Sequence, residues 1–182
     1  MTPIASLWDR IESHMATLWP TRTLNLRPPA TEAQITAAES VLGLVFPADF
    51  RASVLVHDGQ EGQPEASFLP GVHMLGSLQS IVECWVGDAQ SYVPNETEPL
   101  QWFDEVGRTH QVHSHPRRIS FAGSPHWDYD RLLFDFDPAP RGRAGQIIIR
   151  RGGEFSYVCE SWRELLEGVV AGLEGAVKRE PR

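Results

Sequence analysis

Apolar and polar residues alternate most clearly in the run from Asp130 to Asp137, which reads DRLLFDFD. Leu132, Phe134 and Phe136 fall on one face of a strand, with Arg131, Leu133, Asp135 and Asp137 on the other. That period of two predicts a sheet with one buried side. Pro138 to Gly145 cannot continue a strand ladder and forms a turn. Ile147 to Ile149 is an unbroken β-branched run, suited to a more fully covered strand. Gly152-Gly153 then turns the chain into Glu154 to Val158, so residues 146–158 read as a hairpin.

A period near 3.6 marks the flanks of this sheet. Pro3 to Leu18 predicts an amphipathic helix with Leu7, Ile11, Met15 and Leu18 on one face and Trp8 at its edge. Trp19-Pro20 ends it. Thr31-Glu32-Ala33-Gln34 is a capping box opening a helix that buries Ile35, Ala38 and Leu42 and stops at Gly43. Pro47 suits the first position of a further helix carrying Phe50, Val54 and Leu55 inward, closed by the turn His57-Asp58-Gly59. Residues 60–71 are a polar loop, followed by a short strand over 72–75. Ser77 caps a helix with Leu78, Ile81, Val82 and Trp85 at helical spacing. Residues 87–116 are the least regular part, shortened if a helix follows Pro99. Arg118 to Ala122 is a strand, and 123–128 a turn. Ser161-Trp162-Arg163-Glu164 is a second capping box. Its helix aligns Leu165, Leu166, Val169, Val170 and Leu173 for packing on the sheet. Helices, then mostly antiparallel strands, then a closing helix give an α+β fold. The expectation is a single domain over 1–182, with its core at about 4–175 and a polar tail at 176–182.

Composition narrows the class. A hydrophobic fraction of 41% and a charged fraction of 22% are globular values. A formal net charge of −8 argues against a nucleic-acid binder and fits a basic protein partner. Cys84 and Cys159 have neither metal-ligand nor redox spacing and read as reduced core residues. Residues 1–20 lack the pattern of a secretory signal, and no apolar run has the length of a membrane span. A cytoplasmic protein is expected, with no membrane partner.

Candidate chemistry is sparse. His110, His113, His115 and His126 cluster without accompanying ligands at zinc-site spacing, so a polar loop is the reading. Asp135 and Asp137 share a strand face, as a divalent-metal site requires, yet no phosphate loop or basic clamp accompanies them. A metal-dependent hydrolase built on them is the weakest of three function readings. His57-Asp58 resembles a base with its orienting acid, but a helix stop is simpler. Ser124, His126 and Asp128 have the residue types of a triad without a nucleophile elbow. No catalytic, cofactor-binding or metal residue is assigned, and no cofactor is expected.

Several motifs in order resemble one family. Pro28-Pro29-Ala30-Thr31 leads to Ile35, Glu39 and Leu42-Gly43, then to the run from Phe46 to Leu55 and to His57-Asp58-Gly59. Phe68-Leu69-Pro70-Gly71, Leu75-Gly76-Ser77-Leu78, Asp135-Phe136-Asp137-Pro138 and Gly145-Gln146-Ile147-Ile148 follow, and Ser161 to Leu166 begins the last helix. From Trp8 to Leu173 the chain is similar to the SUKH superfamily. The resemblance implies a mixed sheet flanked by helices and a binding role without catalytic residues. Fungal members regulate cell-wall glucan synthesis, and many bacterial members are immunity proteins that neutralise polymorphic toxins. The resemblance implies first an immunity protein facing a basic toxin domain, and second a regulatory or scaffolding module. The chain departs from the family at 123–129 and at the acidic segment 87–116. Candidate partner contacts are Asp88, Glu96, Glu98, Trp102, Asp104, Glu105, Trp127, Asp128 and Tyr129, which combine carboxylates with aromatic anchors.

Overall fold

The computed structural model describes residues 2–62, 67–69, 74–90, 107–110, 112, 115–124, 126–127, 130–151 and 154–179. Within these, the elements run α1 (Ile4–Leu18), α2 (Glu32–Leu42), α3 (Ala48–Val54), β1 (Met74–Leu75), α4 (Leu78–Gln90), β2 (Arg118–Gly123), β3 (Arg131–Asp135), β4 (Gln146–Arg151), β5 (Glu154–Cys159) and α5 (Trp162–Arg179). The strands form one antiparallel sheet in the order β1-β2-β3-β4-β5. The fold is α+β, as the order of periodicities predicts. The expected helix after Pro99, the Gly152-Gly153 turn and residues 72–73 of the first strand lie outside the described residues.

Helices α3 and α5 pack on one face of the sheet, α5 reaching β5 and α1 lying against both helices, while α4 packs between α2 and β2. The core under them is aromatic. Phe50 meets Phe134 and Trp162 edge-on at 4.9 and 5.1 Å, and Phe121 lies 4.5 Å from Phe134. All four are fully buried. Removing each from water contributes about 2–3 kcal/mol, and each edge-on pair adds roughly 0.5–1.5 kcal/mol. This cluster therefore outweighs the capping contacts below. Trp8 belongs inside this core rather than at the edge of its helix. Its indole N–H donates to Ser53 Oγ at 2.8 Å, which lets a polar-tipped ring be fully buried. Leu55 points the other way and is 37% exposed, because it sits past the last turn of α3, whose inward positions are Phe50, Ser53 and Val54.

Local chemistry sets the helix ends. Thr31 and Gln34 complete their capping box, and Gly43 closes α2 at φ +66°. In the second box, Ser161 Oγ accepts from Glu164 N–H, but the Glu164 carboxylate reaches Glu160 N–H, one residue before the cap.

The sheet departs from the alternation rule in one respect. Leu132 and Phe134 pair with Ile149 and Ile147 on the helix-covered face. The opposite face is buried as well. Leu133, Ile148 and Phe155 form a second apolar cluster there, and Arg118, Arg131, Asp135 and Gln146 beside it are all buried. Alternation reports polarity, not exposure. Paired charges let a polar face be covered. A register shift between Ser120 and Ala122 inserts one residue, so Phe121 and Ala122 both face the main core.

Candidate functional site

The His57-Asp58-Gly59 turn has a structural task for each residue. His57 packs edge-on against Trp8 at 5.2 Å, with Nε2 3.0 Å from Glu12 and Nδ1 3.2 Å from the Arg27 carbonyl. Asp58 Oδ1 accepts from Leu78 N–H at 2.8 Å and so caps α4 from a distant turn, alongside the expected cap Ser77. Burial raises the Asp58 pKa above the usual carboxylate range, and the Leu78 N–H opposes that shift. Gly59 has φ +75°, and a Cβ there would meet the Gly76 backbone at 2.5 Å. Asp49 does for α5 what Asp58 does for α4, accepting from Arg163 N–H at 2.8 Å. Asp58 thus seats a helix that begins 20 residues later, and Asp49 the last helix of the fold.

The second face of the sheet carries the densest polar network. Asp135 is fully buried, accepting from Gln146 Nε2 at 3.2 Å and from Asp137 N–H at 3.3 Å, with Arg118 Nε 3.9 Å away. Gln146 Nε2 also donates to the Arg108 carbonyl at 2.8 Å. Arg118 donates to the carbonyls of Val112 and His110, and its guanidinium lies 4.6 Å from the Phe155 ring centre. Burial lowers the Arg118 pKa, and Asp135 raises it in turn. Asp137 pairs with His115 Nε2 at 3.3 Å, and His115 Nδ1 accepts from Arg117 N–H. Burial and then Arg118 push the His115 pKa down, so the neutral ring is the favoured form. Asp135 and Asp137 therefore face different partners despite sharing a strand face. Sequence reasoning missed Arg118 and Gln146. Their only signal was a polar residue aligned with Asp135 on each neighbouring strand.

At the other end of this face, Arg131 is held by Asp88 through both carboxylate oxygens, at 2.8 and 3.0 Å. Arg131 Nε and Nη2 both donate to the Trp127 carbonyl. Cys84 Sγ lies 3.3 Å from Arg131 Nη1, and burial followed by Asp88 pushes its thiol up to about 11. Cys159 is pushed up to about 12 by burial. Both cysteines are free.

Of the candidate partner contacts, this places two. Asp88 is engaged by Arg131 while 42% of its side chain stays exposed. Trp127, half-buried at φ 57°, lays its ring where a side chain on Gly76 would be. Glu96, Glu98, Trp102, Asp104, Glu105, Asp128 and Tyr129 lie outside the described residues, as does His113. His110 and His115 stack at 6.4 Å. Among the described residues no group of three or more His, Cys, Asp or Glu could hold a metal ion. No helix among them is long and apolar enough to cross a membrane.

A model of the SMI1 / KNR4 family (SUKH-1) matches residues 29–168 of the chain. The chain belongs to this family. The matched span contains both remote caps and the whole second-face network. Among curated SMI1 / KNR4 relatives, the chain is similar to the cell wall biosynthesis/cell cycle regulator smi1 of Schizosaccharomyces pombe. That match is 28% identical and covers 94% of this chain and 36% of the relative. It is also similar to the KNR4/SMI1 homolog of Yarrowia lipolytica, at 25% identity over 92% of this chain and 30% of the relative. The glucan synthesis regulatory protein of Neurospora crassa is 24% identical over 93% of this chain and 38% of the relative. The chain thus spans about a third of the length of these relatives.

Proposed function

We propose that this SMI1 / KNR4 domain is a non-enzymatic protein-binding module that regulates or scaffolds its partner. The observation that carries this reading is the employment of its candidate chemical groups in holding the fold. His57 and Asp58 tie α1 and cap α4, while Asp135 is enclosed by Arg118 and Gln146. The names of the curated relatives, two of them regulators of wall or glucan synthesis, support the same reading. A narrower reading, a cytoplasmic immunity protein that neutralises a toxin, is favoured by the net charge of −8. An acidic surface speeds encounter with a basic toxin domain and selects against acidic partners. In either case the candidate contacts are Asp88, Glu96, Glu98, Trp102, Asp104, Glu105, Trp127, Asp128 and Tyr129.

The test is affinity capture of the tagged protein from its own cells, with mass-spectrometric identification of what co-purifies. A stoichiometric partner released by salt is expected. A toxic domain of a larger secreted protein would select the immunity reading, and a wall-synthesis component the regulatory one. Reversing the charges of Asp104 and Glu105 should weaken capture, and unchanged affinity would remove them from the interface.

A further inference from the structure

The exposed side of α2 is short of charge. Residues 33–47 carry a single charged side chain, Glu39, in a chain that is 22% charged. Glu39 is itself buried, and its carboxylate accepts from Phe46 N–H at 2.8 Å and from Arg51. Every exposed side chain in this run is therefore uncharged. Exposed valines scattered singly need no explanation, but here they gather. Among the described residues, Val41, Val45 and Val86 are three of the four large apolar side chains that stand in solvent, Val45 at 70% exposure. Val41 lines an open groove of ≈ 390 Å³ between α2 and α4, with Ala37 and Ala38 on its own wall and Leu78 and Val82 opposite. Val86 follows Val82 by one turn, and Val45 lies just past the end of α2. The charged residues that line the groove are Arg27, Asp58 and Glu83. Asp58 is spent on the Leu78 N–H, and Glu83 accepts from Gln79 Nε2 at 2.9 Å. Arg27 meets the exposed Glu61 at 3.7 Å.

We propose that the α2–α4 groove receives an amphipathic helix of a partner protein, apolar on its buried face and with a carboxylate at the end that meets Arg27. This rests on the protein-binding reading and gives it a surface distinct from the contacts named above. On α4, Cys84 and Asp88 turn to Arg131, while Val82 and Val86, two residues before each, fall about 200° away around the helix. Depletion of charge around apolar side chains is what separates the buried core of an interface from ordinary surface. A trough between two helices suits a third, which presents apolar residues at i, i+4 and i+7. An extended segment would set its backbone N–H and C=O groups against apolar walls without partners, whereas a helix satisfies its own. Arg27 supplies the charge complementarity. Its pair with Glu61 is long and exposed, so a carboxylate held in the groove displaces it at little cost. Asp58 attracts Arg27 as well but is already held by the Leu78 N–H. Glu83, about 7.5 Å along α4 from Leu78, takes a cation further along the partner helix.

The test uses the full chain and an alanine-rich peptide of about 16 residues, long enough to hold a helix, followed by backbone amide NMR. The peptide carries leucine at i, i+4 and i+7, glutamate one turn before the first leucine and lysine beside the last. Saturable shifts centred on residues 33–45 and 78–86 are expected. Ala37→Glu and Val41→Glu, both at exposed helical positions, should weaken binding by more than about tenfold while leaving the amide spectrum elsewhere unchanged. Arg27→Gln should weaken the glutamate peptide several-fold and a glutamine version of it not at all, since only the first can pair. Equal losses for the two peptides, absent shifts at millimolar peptide, or shifts spread elsewhere would overturn the proposal. Shifts of the same residues that grow with protein concentration, without peptide, would overturn it too, by assigning the face to a second copy. A captured cellular partner that is indifferent to Val41→Glu would sink this inference while leaving the protein-binding function standing.

Discussion

Single residues in this protein are fixed by space as often as by chemistry. Gly59 combines a left-handed backbone with a wall of Gly76 backbone 2.5 Å from any added Cβ. Gly59→Ala should cost roughly 2–5 kcal/mol, left-handed strain plus overpacking. Gly43→Ala, strained at φ +66° but facing open space, should cost only about 1 kcal/mol. Urea denaturation of the two variants separates the contributions, and equal losses would refute the steric account. The two thiols are governed by burial. With Cys84 pushed up to about 11 and Cys159 to about 12, neither is a thiolate near neutral pH. Alkylation of the native protein at pH 7.5 should be slow and should become fast in denaturant. His115 gives a pH dependence. Its folded pKa lies below the unfolded value of about 6.5, so the unfolded state binds the proton more readily. Its contribution to stability is complete above that value and falls as pH drops through the folded pKa. His115→Asn should flatten this part of the stability profile, measured by denaturant melts across pH 4.5–7.5.

Elements are joined by contacts that link distant parts of the chain. Asp49 and Asp58 cap helices that begin 20 residues or more away in sequence, so their removal acts on α5 and α4 rather than on their own turn. Asp49→Ala and Asp58→Ala should each lower stability by about 1 kcal/mol, the value of a lost N-cap. Amide exchange should rise at the starts of α5 and α4, and a rise confined to residues 48–60 would contradict the capping role. The Asp88–Arg131 pair ties α4 to β3. Arg131 is buried and Asp88 is partly exposed, so the pair falls between an exposed one at about 0–1 kcal/mol and the roughly 3–5 kcal/mol of a broken buried one. Asp88→Asn should lower the melting temperature by a few degrees. Any loss of partner binding on changing Asp88 must therefore be compared with that thermal shift.

At the scale of the whole molecule, the covered second face changes how the sheet is used. A strand pattern of apolar and charged residues would ordinarily leave one side for solvent. Here Arg118, Asp135 and Gln146 bridge β2, β3 and β4 on that side, and Leu133, Ile148 and Phe155 add a small core. The net charge of −8 acts over this whole surface. Association with a basic partner should slow markedly between low and physiological salt, as screening shortens the reach of the field to about 8 Å. Stopped-flow rates that ignore salt would exclude electrostatic steering.

The sequence by itself determined the features that depend on neighbours in the chain. The capping box of Thr31 and Gln34, the stop at Gly43, the inward face of α5 and the antiparallel strand series were all legible. These rest on hydrogen bonds spanning three or four residues and on side-chain periods of 2 and 3.6. The resemblance to SUKH proteins was legible for the same reason, since such motifs keep their order along the chain. Only the tertiary structure decided where Trp8 is buried, that Asp49 and Asp58 cap distant helices, and that the polar side of the sheet is closed over. Each of these depends on a partner tens of residues away, and the side-chain pattern of one segment carries no information about what a remote segment brings to meet it.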